Sequence, residues 1–96
     1  MLILITYDVN TSTKAGEKRL RKVAKECINY GQRVQNSVFE CLITEAQFVG
    51  LKAALEYIIN DTTDSIRFYF LGNNWQRRVE KIGMETSYDP TETLII

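Results

Sequence analysis

Apolar residues change their spacing repeatedly along this chain, and the order of those changes leaves few folds open. Residues 2–8 form an apolar run with Ile3, Ile5 and Tyr7 on one parity and Leu2, Leu4 and Thr6 on the other, which predicts a central strand with both faces covered. Asn10, Thr11, Ser12 and Thr13 supply turn and N-cap chemistry. Leu20, Val23, Ala24, Cys27 and Ile28 then recur at helical spacing, and Tyr30 and Gly31 end that helix. Over residues 33–43 alternation resumes, but Val34 leads one parity while Phe39, Cys41 and Ile43 lead the other. A turn at Asn36 and Ser37, dividing a short strand from a longer one, accounts for the switch; a single bulged strand is the alternative. Thr44 and Gln47 fit a capping box, and Phe48, Leu51, Leu55, Ile58 and Ile59 form the buried stripe of a second helix that the polar run 60–64 stops. Residues 65–71 alternate again, with Ile66, Phe68 and Phe70 opposed to Arg67, Tyr69 and Leu71. Gly72, Asn73 and Asn74 mark a turn, after which residues 77–82 read as one more edge strand.

The order is β-α-β-β-α-β, which predicts an α+β, ferredoxin-like fold: an antiparallel sheet with both helices on one face and the first strand in the middle. Residues 1–82 make this domain and 83–96 a C-terminal tail. On this reading Ile3, Ile5, Tyr7, Tyr69 and Leu71 project away from the helices and need a cover. A second copy packing sheet face to sheet face is the simplest one. Thr93, Leu94, Ile95 and Ile96 read as a strand expected to cross to the partner protomer, with pairing inside its own chain as the alternative. With 96 residues the core is thin, so burial against a partner adds useful stability.

Twelve basic residues balance twelve acidic ones, but unevenly. Residues 1–40 hold seven Lys and Arg (Lys14, Lys18, Arg19, Arg21, Lys22, Lys25, Arg33) against four acids (Asp8, Glu17, Glu26, Glu40), seven minus four giving +3. A basic face of this kind attracts phosphate whatever the total. The chain has no histidine, which excludes imidazole as acid, base or metal ligand. Cys27 and Cys41 sit among apolar residues, and the N-terminus lacks the charge and length of a signal peptide. A reduced, cytoplasmic protein with free cysteines is therefore expected. No apolar run has membrane-spanning length, so no membrane partner is expected.

Asp8 ends the central strand before a polar loop, so its carboxylate is expected at the sheet's end rather than in the core. A single carboxylate binds Mg²⁺ or Mn²⁺ poorly, but a two-fold axis past this strand end would bring a second Asp8 opposite the first. Taken alone, such an Asp is more often a turn residue. Lys14, Lys18, Arg19, Arg21, Lys22 and Lys25 populate the outer side of the first helix, either as a solvated face or as a phosphate-binding one. Trp75 beside Arg77, Arg78 and Lys81 forms a second basic cluster that grips phosphate or stacks a base, unless Trp75 simply packs. Ser37 lacks the base and acid a nucleophile needs and reads as a turn residue.

Three segments carry a resemblance: Leu4-Ile5-Thr6-Tyr7-Asp8-Val9; Arg33-Val34-Gln35-Asn36-Ser37-Val38-Phe39-Glu40; and Asp64-Ser65-Ile66-Arg67-Phe68-Tyr69. Together they resemble the small CRISPR-associated ferredoxin-like nuclease of the spacer-acquisition complex, over nearly the whole chain. The resemblance implies a homodimer with apposed sheets, a C-terminal strand that crosses to the partner, and Mg²⁺ or Mn²⁺ held between two copies of Asp8. It also implies metal-dependent phosphodiester cleavage of double-stranded DNA or single-stranded RNA. Tyr7, Arg19, Arg33 and Phe39 match further site positions, and Lys18 stands where other members often place Arg.

Two functions follow from the same residues. In one, the protein is a nuclease in which metal between the Asp8 pair does the chemistry while Arg19 and Arg33 hold the nucleic-acid backbone. In the other it is a non-catalytic DNA-binding scaffold that bridges integrase dimers. A small-molecule regulatory domain on this fold would need a ligand-specific motif, and the sequence carries none.

Overall fold

A computed structural model describes residues 1–71 and 78–84. In chain order the elements are β1 (Leu2–Asp8), α1 (Lys14–Ile28), β2 (Gly31–Gln35), β3 (Val38–Leu42), α2 (Glu45–Ile58), β4 (Ser65–Phe70) and β5 (Arg78–Gly83). The strands form one antiparallel sheet in the order β2-β3-β1-β4-β5, which puts β1 in the centre and is the expected α+β, ferredoxin-like arrangement with β5 added outside β4. The turn at Gly72 to Asn74, Trp75, Arg77 and the strand expected at residues 93–96 lie outside the described residues.

Each element starts where its chemistry allows. Thr13 caps α1 by accepting a hydrogen bond from the Gly16 amide, and Thr44 and Gln47 close a reciprocal capping box on α2. Between β2 and β3 the chain turns at Asn36 and Ser37, with Ser37 in the left-handed region (φ 64°). The register also slips between Arg33 and Gln35, so both the turn and a bulge are present. That bulge is why Val34 breaks parity: it is exposed rather than packed.

The core lies between the helices and one face of the sheet. Ile3 and Ile5 of β1, Phe39 and Cys41 of β3, and Ile66 and Phe68 of β4 are wholly buried there beneath Val23 and Cys27 of α1 and Leu51 and Leu55 of α2. Phe48 meets Phe68 and Phe70 edge to face, at 5.2 and 4.9 Å between ring centroids.

This corrects the expected sidedness of β1. Ile5 pairs with Phe39 and Phe68, and Tyr7 with Ile66, so Ile3, Ile5 and Tyr7 face the helices. The open face instead carries Leu2, Leu4, Thr6 and Asp8, flanked by Val38, Glu40 and Leu42 on β3 and by Arg67 and Tyr69 on β4. Both parities of β1 are apolar, so alternation alone did not say which one the helices cover. Ile28, expected in the α1 stripe, is also exposed, since the helix ends there.

Candidate metal and nucleic-acid site

The register gathers the sequence-predicted residues at one end of the sheet. Asp8 closes β1 opposite Ser65, the first residue of β4, and Ser65 is opposite Gly83 at the end of β5. The β2–β3 turn reaches the same end, where the Tyr7 amide donates to the Ser37 carbonyl at 3.0 Å. The α1 N-terminus follows through the loop of residues 9–13. Asp8 is exposed on the open face, whereas Val9 turns back into the core.

Beneath this end lies Asp64, wholly buried and saturated with hydrogen bonds. Its carboxylate accepts from Arg19 Nε at 2.7 Å, the Asn60 amide at 2.9 Å, the Asn10 amide at 3.0 Å and the Thr63 hydroxyl at 3.0 Å. Burial pushes the Asp64 carboxyl up, but the bonds from Arg19, Asn60, Asn10 and Thr63 outweigh it and hold the group below the usual carboxylate range. Its carbonyl accepts the Met84 amide at 2.7 Å, just after Gly83, whose φ of +94° places its Cα where a side chain would strike that carbonyl. Gly16 has a similar role: a Cβ there would collide with the Asn10 carbonyl, so α1 packs directly on the loop that follows Asp8.

A second cluster involves Tyr7, Phe39 and Arg33. The Tyr7 and Phe39 rings stack at 6.1 Å, and the exposed Arg33 lays its guanidinium 5.2 Å from the Phe39 centroid. Burial pushes the Tyr7 phenol up, while the neighbouring Arg33 charge opposes the shift. Phe39 is wholly buried and Tyr7 nearly so, and Phe39 is the ring over which Arg33 rests. Because Arg33 pairs in register with Phe39, it stands on the helix side of the sheet, opposite the face that carries Asp8.

Lys14, Lys18 and Lys22 stand exposed at four-residue intervals along α1. Lys18, Arg19 and Lys22 line a groove of about 200 Å³ between the helices together with Ala15, Ile58 and Tyr57, whose side chain is 92% exposed. None of these lysines makes an ion pair among the described residues. Arg78, by contrast, is engaged: it pairs with Glu45 at 3.1 Å and Glu80 at 2.9 Å and lies 3.9 Å from the centroid of Phe70. Arg78 thus ties β5 to α2, and Lys52 adds a second tie to Glu80 at 2.8 Å.

The family profile described as CRISPR associated protein Cas2 matches residues 1–79. The chain belongs to the Cas2 family. It is 57% identical over 95 residues to the CRISPR-associated endonuclease Cas2 of Halalkalibacterium halodurans, covering 99% of both chains. It is 56% identical over 96 residues to the CRISPR-associated endoribonuclease Cas2 of Chlorobaculum tepidum, covering 100% of both. The crystal structure of Streptococcus pyogenes Cas2 superposes with a TM-score of 0.72 at 67% identity, covering 79% of this chain and 92% of that one.

As a Cas2 protein, the chain offers one carboxylate among its described residues, Asp8, at the exposed strand end. Among the described residues no three Asp, Glu, Cys or His side chains gather to hold a metal ion. Cys27 and Cys41 are free and buried, and burial pushes their thiols up to about 12 and about 11, so they remain protonated. No helix among the described residues is long and apolar enough to cross a membrane. Sequence reasoning quoted Asp64 within a motif but missed its buried pairing with Arg19. Its polar run reads as a helix stop, and nothing local marks a partner 45 positions away.

Proposed function

We propose that this protein is a metal-dependent endonuclease of CRISPR adaptation, acting in the cytoplasm as a homodimer. The observation that carries this reading is the position of Asp8: an exposed carboxylate at the end of the central strand, on the sheet face that a second copy would cover. Leu2, Leu4, Val38 and the 78%-exposed Leu42 give that face the apolar character a face-to-face dimer needs. Two Asp8 side chains across a two-fold axis would offer two hard oxygen donors, with water completing the shell, which suits Mg²⁺ or Mn²⁺. When bound, such an ion stabilises negative charge developing on the scissile phosphate and makes water more acidic.

The chain's own residues bind and orient. Arg33, held over Phe39 on the helix side of the sheet, presents a guanidinium of restricted freedom to backbone phosphates away from the Asp8 face, a fork suited to bidentate contact. Lys14, Lys18 and Lys22 add sequence-independent attraction along the backbone. Both double-stranded DNA and single-stranded RNA satisfy this chemistry. Purified protein is to be incubated with each labelled substrate and Mg²⁺ or Mn²⁺, beside Asp8→Ala. Cleavage that disappears in the variant, with the dimer intact, is expected; cleavage that persists would remove Asp8 from the reaction.

A scaffold role, in which the protein holds DNA and bridges integrase dimers, is favoured by the exposed row of Lys14, Lys18 and Lys22 on α1, none of which has an acidic partner among the described residues. Loss of integrase binding on truncation after Asp89 is the result expected of the scaffold, and normal binding by the truncated chain counts against it.

A further inference from the structure

Arg19 matches a position at which the family resemblance implies contact with nucleic acid, yet its guanidinium points inward. Its Nε lies 2.7 Å from one Asp64 oxygen and a terminal nitrogen 3.5 Å from the other, with only 20% of the Arg19 side chain exposed and none of Asp64. We infer that Asp64 and Arg19 are positioning residues for Asp8, and that Arg19 is not a phosphate ligand. This inference deepens the nuclease reading above and rests on it for the identity of the reacting end.

Three connections carry it. Asp64 holds the amide of Asn10, two residues past Asp8, and so fixes the path of the chain as it leaves β1. Ser65, which follows Asp64, is the cross-strand neighbour of Asp8, so the strand end is held laterally by the same segment. Gly16 packs α1 against the Asn10 carbonyl, and Arg19 on the same helix clamps Asp64, which closes the arrangement into a loop of contacts from β1 through α1 to β4. Buried carboxylates are costly unless compensated, and here every donor comes from a segment adjoining the Asp8 end. A carboxylate expected to share an ion with its symmetry mate tolerates little displacement, which gives such a brace a function beyond stability.

The test uses the full chain and four variants. Arg19→Gln and Asp64→Asn break the pair, Lys18→Gln removes an exposed cation, and Val23→Ala is a core control that lowers stability on the same helix without removing either member of the pair. In amide exchange, the Asn10 amide is expected to open about tenfold faster in Arg19→Gln and Asp64→Asn than in Val23→Ala. In metal-free DNA binding, Lys18→Gln is expected to lower the slope of log affinity against log salt by about 0.9, whereas Arg19→Gln leaves it unchanged. In cleavage assays, both pair variants are expected to lose about tenfold or more in kcat with KM unchanged, Arg19→Lys to recover part of the loss, and Val23→Ala to keep its kcat.

A salt slope lowered by Arg19→Gln would make Arg19 a phosphate ligand and overturn the inference. Unchanged Asn10 exchange, or undiminished kcat in the pair variants, would overturn it as well. If wild-type protein cleaves neither substrate, the nuclease reading fails by itself, and the exchange and salt measurements still decide where Arg19 is committed.

Discussion

Asp64 accepts hydrogen bonds from the loop after β1, from α1 and from the turn that precedes it, and its energetics follow from that. Deleting the carboxylate in Asp64→Ala strands a mostly buried guanidinium and two backbone amides, so a loss of about 3 kcal/mol is expected in urea unfolding. The pH dependence has a definite sign. The folded-state pKa lies below the unfolded one, so this stabilisation is present above the ordinary aspartate value of about 3.9 and is lost as pH falls through the depressed folded value. Acid titration of wild type against Asp64→Asn should therefore show the wild-type advantage shrinking as pH falls below about 3.9. At Gly16, Ala would drive a methyl group into the Asn10 carbonyl, at a cost of about 1–3 kcal/mol by thermal unfolding, although Ala is the better helix former.

At the scale of elements, the helices and strands were legible because each carried a periodic stripe and a recognisable start. Thr44 and Gln47 announce α2 by sequence alone, and the structure closes that capping box, so Thr44→Ala is expected to cost about 1 kcal/mol in chemical denaturation. What periodicity left out was sidedness and long-range pairing. The apolar residues of β1 fall on both parities, and only pairing with Phe39 and Phe68 decides that Ile5 looks toward the helices. The strand-end position of Asp8 could be read from a local pattern, whereas the Arg19–Asp64 pair could not, since an arginine on a helix and an aspartate in a loop each have an ordinary local explanation. Phe39 illustrates a related gap: a motif match marks a residue as important without saying whether it touches the ligand or supports a neighbour that does.

For the whole molecule, the sheet has two unequal faces, one sealed by helices and one lined by Leu2, Leu4 and Leu42 beside Asp8. Placing a charge on that second face with Leu4→Glu is expected to shift sedimentation toward monomer while leaving the far-ultraviolet helix signal intact. If the proposed metal pair spans two copies, this variant loses cleavage without any change at Asp8. Retained dimer in Leu4→Glu would place the interface elsewhere.

The protonated, wholly buried thiols of Cys27 and Cys41 leave the native surface chemically silent toward thiol reagents among the described residues. A single Val49→Cys on the exposed side of α2 would then accept a spin label or fluorophore selectively, with the native pair left in place. Two labelled copies would form a built-in molecular ruler, reporting the separation of protomers and any change in it when nucleic acid arrives.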